Sequence, residues 1–484
     1  MSNDILRLPA LLAAGLLLAG CAVGPDYKRP QPQMDAAFAG QPLVDAEAGA
    51  AQARWWALFA DPMLDDLVAR ALQSNRSLAA AEARLKEARA ARREQVMGLL
   101  PTLSSSASAT SQRQSLGATP GGVPTVRDYD LYEAGFDASW ELDLFGRVRR
   151  GNQAARASQQ AAQAARDDVR LSVIAEVARN YFELRGAQLQ LQVSTRNAEN
   201  QQRALDLVRT RQDAGRGTAL DTARAEAQIQ TTLAAVPPLE AAVTRAQHRI
   251  EVLVGLRPGQ LAEQLSPTAP LPALPPTVAL DDPATLLRRR PDLRVAERQL
   301  AATSALIGVA VADFFPRITL NGAIGLSALD AGALGDHGND FRRFGPALSW
   351  AFLDSARVYQ RVRAAGARHE QALANYEQAV LTALEDVENS LSDYGRQRRR
   401  LEHLSAAARA SVLAADLATQ RFEGGVDDFL TALDAYRTAL LAEEELAAGQ
   451  TQAATALVAL YKALGGGWET DVAQPAAGEP APPP

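Results

Sequence analysis

The sequence predicts a mainly α-helical chain that also carries membrane β-barrel strands, built from a duplicated strand pair plus long helical hairpins. Three observations predict it. Two stretches, 61–255 and 283–465, repeat one another. Leu78, Glu82, Leu85 and Pro101 align with Leu293, Glu297, Leu300 and Pro316 at an offset of about 215 residues. Past the hairpin loop, Trp140, Val177, Arg211, Gly215 and Gly255 align with Trp350, Val387, Arg421, Gly425 and Gly465 at about 210. Each copy also holds two runs of period-two alternation, and each follows them with a proline-free helical run far longer than a globular helix.

The elements follow in order. Arg7 precedes an apolar run, Leu11 to Ala19, too short to cross a bilayer as a mature helix. It closes on Leu18-Ala19-Gly20-Cys21, so residues 1–20 read as a lipoprotein signal peptide and Cys21 as the lipidated first residue of the mature chain. An ordinary signal peptide with an incidental cysteine is the alternative. Residues 21–60 read as an extended, proline-bearing arm in which Trp55, Trp56 and Phe59 are core of the body they join rather than a binding site. Asp61-Pro62 starts a helix that the pattern carries to about Gly98.

The first strand pair spans about 100–142. From Asp130 the even positions are apolar or small (Tyr132, Phe136, Trp140, Leu142) and the odd ones mostly polar (Glu133, Asp137, Ser139, Glu141). Its loop holds Gly117, Pro120, Gly121, Gly122 and Pro124. The second pair, at about 316–353, alternates Ile318, Leu320 and Ile324 with Arg317, Thr319 and Asn321. From Gly146 to Asp213, and again from Ser355 to Phe422, apolar residues recur at helical spacing, giving helices on the order of 100 Å long that must pack laterally. Tip turns at about 214–218 (Gly215, Arg216, Gly217) and 423–428 (Gly424, Gly425) reverse the chain. Pro237-Pro238 predicts a kink or break in the first return helix, where the second has Ala447-Ala448. Residues 256–282 form a proline-rich linker, and 466–484 a largely disordered tail.

Strand length carries the functional argument. About ten alternating residues fit a tilted crossing of a bilayer. Open sheet edges are not tolerated in lipid, and four strands cannot enclose a lumen, so several chains must pool strands into one barrel. Its polar faces, with Asp137, Glu141 and Arg317, would line a wet interior. Alternation alone fits a soluble half-buried sheet equally well; the lipid signal and the long adjoining helices favour the membrane.

Composition narrows the classes further. A net charge of −6 gives no reason to expect a nucleic-acid partner. One cysteine rules out an intrachain disulfide and a cysteine metal cluster. Four histidines are scattered without ligand spacing, and no P-loop, zinc-protease or nucleophile-elbow motif occurs, so neither an enzyme nor a cofactor is expected beyond the covalent lipid.

Cys21, Gly24-Pro25-Asp26-Tyr27 and Trp55-Trp56-Ala57-Leu58-Phe59-Ala60-Asp61-Pro62 resemble the TolC-like outer-membrane factor family, in particular its NodT/OprM-type lipoproteins. So do Arg211-x-x-x-Gly215, Pro237-Pro238-Leu239-Glu240, Arg289-Arg290-Pro291-Asp292-Leu293 and Asp313-Phe314-Phe315-Pro316. The resemblance implies a homotrimer: a twelve-stranded barrel continuous with a periplasmic α-helical barrel and a mixed α/β equatorial belt. It implies a lipid-anchored, passive outer-membrane exit duct of a tripartite efflux system. A periplasmic adaptor and an inner-membrane transporter, most often of the resistance-nodulation-division type, complete it. Ala22 after the cysteine implies sorting to the outer membrane. A type I protein-secretion duct, or a periplasmic coiled-coil scaffold without a pore, are the alternatives.

By the same resemblance, the tip turns lie at the periplasmic end, and Asp221 and Asp434 match positions near the family's constriction. Asp427, Asp428 and Asp434, repeated around a threefold axis, would crowd carboxylates at a gate. Helix capping explains Asp427 and Asp428 equally well. The family's arginine after the second turn is replaced by Asp427, so Arg216 is the candidate to pair with it in reversed polarity. Arg211 and Arg421 are expected to cap their own helices, with adaptor docking as the alternative.

Overall fold

The computed structural model describes residues 22–49, 53–113 and 128–468. Cys21, the glycine- and proline-rich stretch 114–127 and the tail from 469 therefore lie outside the described residues. The chain divides into two compact units. One gathers the chain up to Gln31, Arg84–Ala162 and Val295–Glu377; the other gathers Pro32–Ala83, Gln163–Arg294 and the chain from Gln378 onward.

In chain order the elements are β1 (Ala46–Ala48), α1 (Pro62–Ser74), α2 (Arg76–Met97), β2 (Thr102–Arg113), β3 (Asp128–Leu142) and α3 (Arg147–Asp213). Then come α4 (Ala219–Ala234), α5 (Val236–Leu253), α6 (Ala262–Leu265), β4 (Val278–Leu280), α7 (Pro283–Arg289) and α8 (Pro291–Ala312). The chain continues with β5 (Arg317–Ala328), β6 (Asp340–Ser349), α9 (Ser355–Glu423) and α10 (Phe429–Ala463).

The first unit is organised by one antiparallel sheet in the order β2-β3-β5-β6. The two hairpins meet at β3 and β5, so each copy of the repeat supplies half of the sheet. Among the described residues β2 and β6 have no second neighbour, which leaves two open edges.

The second unit is helical, with a small parallel pair joining the arm to the linker, β1 to β4. Long helices form because 67 and 69 residues pass without a proline. Alanine at many buried positions lets neighbouring helices approach closely. Trp55 is fully buried and stacks on Tyr461 with ring centres 5.2 Å apart, and Phe59 meets Phe182 edge-on at 4.7 Å. These aromatics are core, as their type and spacing imply; burying Phe59 alone is worth up to about 3 kcal/mol. The proline pair has the expected effect: the return helix breaks at Ala235 between α4 and α5, while α10 runs unbroken for 35 residues.

One helix differs from the sequence reading. The helix read from Asp61 to about Gly98 is two helices. Asn75 takes extended backbone at the break, accepts from the Leu78 amide at 3.0 Å and donates to the Leu253 carbonyl at 2.8 Å. The second copy breaks at the corresponding residue, Arg290, because Pro291 disfavours helical backbone before it. Arg290 donates to the Ala463 carbonyl at 3.2 Å, and Ala463 is the counterpart of Leu253.

Candidate functional site

In the sheet, register decides which residues share a face. Leu103, Ala138, Gly322 and Phe344 form one cross-strand row; Phe136 and Ile324 form another, with Ser105 and Arg342 at its ends; Trp140, Leu320 and Pro346 a third; Leu142, Ile318 and Leu348 a fourth. Residues directly opposite one another in a ladder point the same way. All four rows therefore lie on one face, apolar except for Ser105 and Arg342 at the outer strands. Phe344 is 84% exposed and Leu103 81%, an outlay of apolar surface that water does not tolerate and lipid does. At the helical end of each hairpin a tryptophan marks the boundary. Trp140 donates to the Leu99 carbonyl and Trp350 to the Phe314 carbonyl, each at 3.0 Å, so the repeat persists even in these side-chain bonds.

The opposite face is polar. Ser104, Asp137, Ala323 and Arg343 form one row, Thr102, Ser139, Asn321 and Gly345 the next, and Glu141, Thr319 and Ala347 a third; Arg317 pairs with Ser349 at its end. The structure thus puts Asp137, Glu141 and Arg317 on one face. Glu141 is engaged by Arg147, and Arg317 by Asp313 at 2.5 Å. Arg343 belongs to the same face, as its alternation with Phe344 and Leu348 implies and the register across β5 and β6 shows.

In the helical unit, the two tip turns are built alike. Each long helix ends on a glycine in the left-handed region, Gly215 at φ 69° and Gly425 at φ 74°, where a side chain would be strained. Each return helix then starts on a capping residue. Thr218 and Asp221 form a reciprocal capping box, and Asp428 accepts from the Thr431 amide at 3.0 Å. Arg211, Arg216, Asp221, Asp427 and Asp428 line a cleft of about 610 Å³ between these turns, together with Gly217, Gly424 and Gly425. Asp434 is exposed farther along α10 and is not among its lining residues.

The arginines differ from the sequence reading. Arg421 does not cap a carbonyl. It grips Asp427 with two hydrogen bonds, 2.6 and 2.8 Å, and the bond holds the Asp427 carboxyl below the usual carboxylate range. That occupies Asp427, so within this chain the pairing with Arg216 is not formed; Arg216 makes no ion pair among the described residues. Arg211 does cap a carbonyl, but one on the other long helix: it donates to Glu423 at 2.8 Å and lies over the Phe422 ring at 4.2 Å.

An open sheet with a lipid-type face, carried by a chain of long helical hairpins, defines the subunit of a membrane channel. This chain belongs to the outer membrane efflux protein family, whose model matches residues 67–256 and 283–466. It is 34% identical over 480 residues to the outer membrane protein OprJ of Pseudomonas aeruginosa, covering 96% of this chain and 97% of that one. It is 31% identical to the nodulation protein T of Rhizobium leguminosarum bv. trifolii, over 94% and 96% of the two chains. Among solved structures, the outer-membrane channel OprN superposes with a TM-score of 0.86 at 41% identity, covering 93% of this chain and all of that one. The open state of the Neisseria gonorrhoeae MtrE outer-membrane channel gives 0.81 at 30%, over 93% and 99%. The chain is an outer-membrane channel protein, of a family of transport ducts rather than enzymes.

Proposed function

We propose that this chain is the outer-membrane exit duct of a tripartite efflux system, passively conducting small molecules from the periplasm to the outside. The observation that carries the reading is the open four-stranded sheet with its large apolar side chains exposed on one face. A single chain supplies too little wall to surround water in lipid, and its two edges carry unpaired backbone groups. Three chains joined edge to edge satisfy them in a twelve-stranded barrel with Asp137, Glu141 and Arg317 toward the lumen. A scaffold without a pore has no use for such a face. A lipid on Cys21 anchors the assembly, and a periplasmic adaptor and an inner-membrane transporter, of the resistance-nodulation-division type in the family's pattern, supply coupling and energy.

At the periplasmic tip, three copies of Asp427, Asp428 and Asp434 around one axis favour cations and oppose closure by mutual repulsion only when unpaired. Because Arg421 already neutralises Asp427, Asp434 is the stronger gate residue, with Arg216 available to a neighbouring subunit. Native mass spectrometry of the detergent-extracted assembly, combined with planar-bilayer conductance, tests the duct: a trimer with discrete channel openings is expected, and a stable non-conducting monomer rejects it. Unchanged closed-state conductance in both Arg216→Ala and Asp434→Ala rejects their gating role.

A further inference from the structure

In the first unit, Arg150 of α3 is only 3% exposed, its stem against Gly308 of α8. Its guanidinium is spent on the first residues of the described chain. Nε donates to the Val23 carbonyl at 3.0 Å, Nη2 to those of Ala22 at 3.3 Å and Gly24 at 3.1 Å, and Nη1 to the Asp26 carboxylate and to Gln153, each at 2.9 Å. A buried arginine with its donors this fully occupied is a built recognition site for extended peptide.

The space around it is shaped for the same segment. Gly24, at φ 90°, lies so close to Gly308 of α8 that a Cβ on it would stand 2.5 Å from the Gly308 Cα. A Cβ on Gly308 would meet the Arg150 side chain at 2.8 Å, and one on Gly146 would meet Ala22 at 2.6 Å. The Val23 amide donates to the Phe145 carbonyl at 3.1 Å. Directly after Gly24-Pro25, Asp26 is followed by Tyr27, whose hydroxyl donates to the buried Glu297 at 2.5 Å.

The duplication supplies a control. In the second copy the residues corresponding to Gly146 and Arg150 are Ala356 and Gln360, and the first-copy counterpart of Gly308 is Arg93. The slot exists once, in the half of the repeat that the arm crosses.

We propose that Arg150, with Gly146 and Gly308, forms a docking slot for residues 22–27 that registers the mature N-terminus against the base of the membrane sheet. The acyl anchor is thereby a fixed strut joined to α3 and α8 rather than a lipid on a loose tether. Arg150 is a positioning residue: it acts on the anchor through the arm. The role assigned to the strut rests on lipidation of Cys21, whereas the slot itself does not.

The test uses the full-length protein purified in detergent. Hydrogen exchange of residues 22–28 and the rate of trypsin cleavage after Lys28 are compared in the unaltered protein, Arg150→Met and Gly308→Ala. The first removes all the donors; the second keeps every donor and crowds the Arg150 side chain from α8. At least tenfold faster exchange and cleavage of the arm is expected in each variant, with β3 and β5 peptides unchanged and with Arg150→Lys intermediate. Equal arm rates in all proteins overturn the proposal, as does loosening of the sheet in step with the arm in both variants. The mass of the N-terminal tryptic peptide reports lipidation separately: an unacylated peptide rejects the strut and leaves the exchange result to judge the slot.

Discussion

The two copies of the repeat have kept their backbone and let their charges diverge. The tips show it most simply. Arg211 and Arg421 are equivalent, but six residues on the first copy has Gly217 and the second Asp427. Arg421 therefore folds back on its own turn, and Arg211, with no carboxylate there, reaches across to Glu423 and Phe422. The helix breaks repeat the lesson: Asn75 and Arg290 each satisfy the terminal carbonyl of a return helix, and only the arginine adds ion pairs, at 2.7 Å to Asp292 and 3.0 Å to Asp386. Position is conserved between copies because backbone groups must be satisfied; charge is free to change because any suitable donor satisfies them.

The comparison can be broken at these sites. The largest effect is expected from Arg290→Ala, which strands two carboxylates and two carbonyls. Because both acids are partly solvated, a loss of about 3 kcal/mol is expected from denaturant unfolding, at the low end for a broken buried pair. Asn75→Ala removes one carbonyl partner and one cap and is expected to cost about 2 kcal/mol in the same measurement. If the two losses are equal, the added ion pairs of the second copy contribute nothing. Arg211→Ala, which gives up a cap and a ring contact, is expected to cost about 1 kcal/mol and to speed proteolysis near Glu423.

Carboxylates sharpen the contrast through pH. Burial, then the nearby Asp292, pushes the Asp168 carboxyl up. An acid raised by folding costs stability once its unfolded counterpart ionises, above about pH 4. Asp168→Asn is therefore expected to raise the unfolding temperature at pH 7, with the gain fading as pH falls toward 4. Asp427, held low by Arg421, has the opposite sign: its contribution is present above about pH 4 and is lost as pH falls through its folded value. Being exposed, it gives the smallest effect, a slight drop at pH 7 in Asp427→Asn that disappears in acid.

Much of this architecture was legible because its signals are local. Proline-free runs mark α3 and α9, Pro237-Pro238 marks the break at Ala235, and Gly215 and Gly425 mark the turns. Alternation from Tyr132 to Leu142 marks the membrane face of β3. What escaped depends on partners far away in sequence. Asn75 looks like any polar residue on a helix until Leu253 stands beside it. Arg150 is one of several arginines after Gly146, and nothing local separates it from Arg149. The direction Arg211 takes could have been read only by setting Gly217 against Asp427.

The unpaired margins of β2 and β6 have a genetic consequence. In the proposed ring of three chains, every seam between subunits joins two different copies, so one faulty edge strand spoils the seam it shares with a healthy sister. In cells making both forms, damage at Thr102–Arg113 or Asp340–Ser349 should then behave as dominant, intact rings surviving only as the cube of the healthy fraction, whereas damage confined within one chain's helices should be masked by an intact second copy of the gene.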